Sequence, residues 1–333
     1  MKTRILYRYA LIAGFTGIIL TGCKKDNNNS AASQSDTDLQ TQSDDQTRVS
    51  NENDAISDDV NSSLSVSGNI TGSSIAPGIR YGVTTTGGDK DTLKNPLICD
   101  AVVVADTISN PHTLTITYNG ASCNFNRIRT GVVVISIPAG IHWKDQGATV
   151  SVSIQNLKIT RTSDKRSITL NGTHLYTNVS GGSLTQLYLG TLASIKHTVT
   201  SSNMSITFDN GAQRTWNVAR QRVYTYVNGV AKVTLTGTHT DGATQGISEW
   251  GTNRFGNSFT AVITQPLVIS SGCSFQLISG QAELINAAGM TTITFGLDST
   301  GAASGCPAPG AFYYFKLIWA GNGGKTYTFI LPY

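Results

Sequence analysis

Charge is scarce in this chain. Only 13% of its 333 residues are Asp, Glu, Lys or Arg, about half the share in a typical soluble domain. There is no Lys/Arg cluster and no basic run interleaved with aromatics, which excludes the electrostatic footprint of a nucleic-acid binder. The five histidines (His112, His142, His174, His197, His239) stand singly. None has a partner at metal-ligand spacing, so no metal and no cofactor is expected. Beyond residue 62 glutamate occurs only as Glu249 and Glu283. No Gly-x-Ser-x-Gly elbow or other nucleophile signature appears. Gly324-Lys325-Thr326 lacks the upstream glycine of a phosphate loop, because Trp319 stands there. No catalytic residue is therefore assigned. Long apolar runs are absent too: the longest, Tyr9 to Leu20, spans twelve residues, where a membrane-crossing helix needs about 20.

What the N-terminus does have is ordered. Lys2, Arg4 and Arg8 precede that apolar stretch, and Leu20-Thr21-Gly22-Cys23 closes it. This is a secretory signal in its usual order, ending in a pattern that resembles the lipobox of bacterial lipoproteins. We expect residues 1–22 to be a signal peptide and Cys23 to carry acyl chains, palmitate among them. Two or more chains, at about 0.8 kcal/mol per buried methylene, form a stable anchor. The expected location is the cell envelope, lipid-anchored at the outer membrane and either periplasmic or surface-exposed. Membrane lipid is then the first partner.

Residues 24–62 are Asn, Ser, Gln, Asp and Thr, with nine acidic residues against three basic ones. Such a composition buries too little apolar area to offset its ordering entropy. The expectation for 23–62 is a lipid anchor followed by a disordered acidic tether, then a partly ordered lead-in over 63–97.

From 98 to 333 the sequence predicts an all-β domain: an antiparallel meander forming a large twisted sheet, sandwich or partly closed barrel. Thr149 to Gln155 alternates apolar and hydroxyl residues. The phase then slips before Leu157 and Ile159, as one extra residue near Asn156 would cause. Asn228-Gly229 between two apolar runs is the strongest hairpin signal, and Asn171-Gly172 marks a second bulge candidate. A split into two sheets near Ser201 stays open.

Cys99, Cys123, Cys273 and Cys306 remain once Cys23 is acylated, an even number suited to disulfides in an exported protein. A hairpin turning at Asn110-Pro111 would set Cys99 opposite Cys123, leaving Cys273 for Cys306. Trp143, Trp250 and Trp216 are candidate platforms for stacking on sugar rings, with core packing as the alternative.

Arg214-Thr215-Trp216, Arg220-Gln221-Arg222, the run Trp250 to Thr260, Pro266-Leu267, Phe295-Gly296 and the closing Gly324 to Tyr327 resemble an uncharacterised family of β-rich Bacteroidota lipoproteins. The resemblance implies an exported β-rich lipoprotein and brings no known activity. The expected function is a non-enzymatic binding or interaction module with glycan as the ligand class. A structural or assembly component of the envelope is the alternative, with a carbohydrate- or ester-active hydrolase behind it.

Overall fold

The structure is a computed structural model that describes residues 30–66, 82–84, 91–94, 98–121, 127–273, 275–287, 289–307, 313–321 and 324–333. The expected signal peptide, Cys23 and Cys123 lie outside the described residues. The chain divides into two compact units, residues 1–45 and 46–333. Helix α1 (Ser30–Val66) crosses that boundary. The second unit holds residues 46–66 of this helix and, among the described residues, every strand.

Its strands are β1 (Gly82–Thr84), β2 (Asp91–Lys94), β3 (Ala101–Asp106), β4 (His112–Asn119), β5 (Arg127–Ile137), β6 (Ala148–Arg161), β7 (Ser167–Asn178), β8 (Ile195–Phe208), β9 (Gln213–Val227), β10 (Val230–Gly237), β11 (His239–Asp241), β12 (Thr244–Thr252), β13 (Ser258–Ser270), β14 (Gln276–Asn286), β15 (Gly289–Leu297), β16 (Tyr314–Gly321) and β17 (Thr326–Pro332). A short helix, α2 (Leu184–Tyr188), lies between β7 and β8. Every pairing is antiparallel. Each strand from β1 to β10 pairs with the next in sequence, as does each from β12 to β17. β10 and β12 lie end to end between β9 and β13, and these four strands close a ring of pairings. The β11–β12 hairpin is the excursion that separates the two halves of that shared strand position.

The all-β meander is thus as the alternation predicts, and it runs as one sheet through Ser201. The hairpin at Asn228-Gly229 closes β9 onto β10 in two residues, both at positive φ (52° and 80°). That is the primed-turn geometry that matches strand twist. Residues 276–278 and 282–285, two separate apolar runs in the sequence, belong to the single strand β14 with Gly280 inside it.

Bulges explain how so long a sheet bends. The register slips between Ile154 and Leu157, with Asn156 at φ 48°. It slips again between Ser201 and Met204, with Asn203 at φ 55°. In both, the bulged N–H donates to an asparagine side chain one strand on: Asn156 to Asn171 Oδ1 at 2.7 Å, Asn203 to Asn217 Oδ1 at 2.8 Å. Neighbouring strands meet these bulges with glycine. A Cβ on Gly131 would stand 2.5 Å from the Asn156 carbonyl oxygen, and one on Gly172 would stand 2.3 Å from the Met204 sulfur. Extra residues of this kind bend a strand and increase its twist. A row of them across adjacent strands gives the sheet a concave face.

That face is apolar along the strands and is filled by residues 46–66 of α1. Here the structure corrects the expected disordered tether for residues 46–62. Val49, Ile56, Val60 and Leu64 are fully or almost fully buried, and their spacing of seven, four and four sets them in one stripe. They join a core cluster with Leu114, Ile116, Val152, Leu157, Leu170 and Met204. Composition alone hid this stripe, because four apolar residues are few among so many polar ones.

Candidate functional site and its charged frame

The acids of α1 flank its apolar stripe on both sides, and the sheet meets each flank with arginine. On one side Glu52 pairs with Arg127 at 3.1 Å and Asp59 with Arg129 at 2.6 Å. Arg129 also grips Asp100 through two hydrogen bonds of 2.7 and 2.6 Å, its guanidinium lying 4.3 Å from the Tyr118 ring centre. Tyr118 donates its hydroxyl proton to Asp59 at 2.7 Å. On the other side Asp54 accepts from Arg220 at 2.9 Å and Arg222 at 2.7 Å, and Asp58 pairs with Arg222 at 2.5 Å. Arg220 also pairs with the fully buried Glu249, which accepts from Gln46 and Ser50 of the helix. Arg129, Arg220 and Arg222 are thus each forked between a helix acid and a group outside the helix (Asp100, Glu249 and the Tyr224 hydroxyl), as the planar donor array of arginine allows.

Burial sets the titration of this frame. Desolvation raises the Asp59 carboxyl above its usual range, against the pull of Arg129. It pushes Asp58 up to about 6, opposed by Arg222, although the Asp58 side chain keeps 41% of its surface exposed. His174 and His197 are buried, and desolvation pulls both down to about 3, with a nearby arginine (Arg220 and Arg222 respectively) adding to the effect. Neither His174 nitrogen has a hydrogen-bond partner among the described residues. Its ring instead lies edge-on to Tyr176 and Trp216.

Between the N-terminal half of this helix segment and strands β13–β15 the packing leaves a crevice of about 40 Å³, room for little more than a water molecule. One wall is apolar: Ile263, Leu267, Leu277, Leu284, Ile293 and Phe295. The facing wall is polar: Gln46, Ser50, Asn51 and Asp54, with Arg220, Ser248 and Glu283 at its margin. Small-molecule pockets run from about 300 to 1,000 Å³, so this crevice is a packing gap between helix and sheet and not a ligand site. No sequence motif marks these residues. The alternation of Phe259, Ala261 and Ile263 and the α1 stripe were the available signals, and only their juxtaposition makes the crevice.

The aromatic candidates are corrected. Trp143 is 2% exposed and packs against His197 with ring centres 4.9 Å apart; Trp216 is fully buried. Both inward positions follow from strand alternation and loop return, and neither can stack on a sugar. Trp250 is partly exposed, and His239 lies over its ring at 4.1 Å. Cys273 and Cys306 form a disulfide, as expected. Cys99 is disulfide-bonded as well. No cluster of three or more His, Cys, Asp or Glu able to hold a metal occurs among the described residues, and no helix among them is long and apolar enough to cross a membrane. Asp298 accepts from the Thr300 and Ala302 backbone and from the Thr300 hydroxyl, so it organises its own turn. Comparison of the chain with family models, with curated proteins and with solved structures returned no match.

Proposed function

We propose that this protein is a lipid-anchored envelope module, without enzymatic activity, that assembles with other envelope proteins. The observation that supports the reading is β17, which among the described strands pairs with β16 alone and so offers an edge to an added strand. Glycan loses its support as the ligand class because two of the three tryptophans proposed to stack on it are buried.

The test is co-purification of partner proteins with the full-length chain from envelope extracts. A partner that is lost when Thr328 is replaced by proline supports the reading, and a partner retained by that variant, or recovery of the chain alone, rejects the edge. Anchoring is checked separately: palmitate should label the wild type, and Cys23→Ser should abolish the label and release the protein from membranes.

A further inference from the structure

Antiparallel strands send their connections alternately to two ends of the sheet, and the two ends differ in chemistry. At one end lie the connections 107–111, 138–147, 179–194 and 228–229 and the described residues 271–273, 275 and 298–307; at the other lie 162–166, 209–212, 253–257 and 324–325. Among the described residues the five most exposed large apolar side chains all sit at or beside the first set: Ile108 (69%), Phe275 (63%), Val227 (62%), Leu189 (58%) and Tyr188 (55%). Residues 107–111, 179–194 and 228–229 contain no charged residue, and the charges in the connections at this end are Lys144, Asp145 and Asp298. The opposite end carries Asp164, Lys165, Arg166, Asp209, Arg254 and Lys325.

The apolar tips are built into place. Ser183 and Gln186 form a capping box that starts α2 and so projects Tyr188 and Leu189. Tyr188 rests on Tyr226, ring centres 5.1 Å apart. Val227 borders the two-residue turn that closes β9 onto β10. Phe275 stands at φ 57°, a left-handed conformation rare for a bulky residue, with its N–H bonded to the Ser270 carbonyl at 2.9 Å. The fold holds this ring in solvent at a local backbone cost, and such strain concentrates at working surfaces.

We propose that this rim docks on a lipid bilayer, its apolar tips entering the interface between headgroups and acyl chains. Single apolar side chains spread over several loops suit a fluid surface. Uncharged loops avoid the cost of taking charge into it, and tyrosine is a favoured residue at that depth. Exposed Lys196 and Lys232, on the strands that leave these loops, suit anionic headgroups. The rim does not depend on the β17 edge, and its test reads a different signal.

The experiment uses the full chain in vesicles of phosphatidylethanolamine and phosphatidylglycerol, with and without brominated acyl chains that quench tryptophan on contact. Leu189→Trp and Phe275→Trp probe the rim, and Phe255→Trp probes the opposite end. The background is the unsubstituted chain. Quenching of the two rim probes at least about twofold stronger than that of Phe255→Trp is expected for insertion to interfacial depth. Equal quenching at both ends overturns the proposal, since the anchor alone would then explain proximity. No quenching at the rim overturns it as well, and concentration-dependent self-association in that case would make the rim a contact between copies. Leu189 lies in a solvent-exposed turn away from the strained position, so the test survives if Phe275→Trp fails to fold.

Discussion

At the residue scale the arginines on the concave face do what their chemistry predicts, and the histidines do not. Arg129 is 2% exposed and satisfies two carboxylates and a tyrosine ring. Arg129→Met leaves Asp59 and Asp100 buried without their cation, which should cost about 3–5 kcal/mol in urea unfolding; a loss under about 1 kcal/mol would show that water replaces the pair. His174 and His197 are held neutral. Their folded-state values, about 3, lie below the ordinary 6.5. The stability they contribute is therefore complete above pH 6.5 and is lost as pH falls from there toward 3, at up to about 1.4 kcal/mol per pH unit for each. Asp58 acts in the opposite sense: its raised carboxyl favours the fold at low pH, and that contribution is lost as pH rises through about 6. Its partial exposure makes it the weaker of the two trends. Melting temperatures should fall between pH 7 and 4.5, and a His174→Phe/His197→Phe double variant should flatten that slope. Parallel curves for the two proteins would refute the assignment.

At the scale of elements the informative piece is α1. Its Asn, Ser and Asp content gives it poor intrinsic helix propensity, so residues 46–66 owe their order to the sheet. Four buried apolar side chains and two flanks of acid–arginine pairs supply it. Ile56→Ala should destabilise the protein by about 2–5 kcal/mol, as truncation in a packed core does, measurable as a shift in the urea midpoint. A loss confined to helix signal, with the sheet unchanged, would instead mark the segment as a separable appendage. The strands were far more legible: the slip beside Asn156 and the turn at Asn228-Gly229 are local features written in one stretch of chain. The helix was not, because its acids are favourable only opposite Arg127, Arg129, Arg220 and Arg222, which lie some 70 to 170 positions away.

At the scale of the whole second unit, one concave sheet holds the helix on its inner face, while its connections gather the most exposed apolar side chains of the described residues at one end. The edge-pairing and bilayer proposals therefore fail independently. Thr328→Pro should spare quenching at the rim, and replacing Leu189 should spare co-purification through β17.

The sequence by itself determined the period-2 strands and the positions of turns and bulges, because each depends on neighbours along the chain; it left three pairings of four cysteines open, and the structure shows that of 273 with 306. Only the tertiary structure decided that the acidic segment is core, that Trp143 and Trp216 face inward, and that isolated apolar loop residues gather on one rim. The physical reason is that desolvation and charge pairing are set by what lies across space, and a composition count cannot supply that partner.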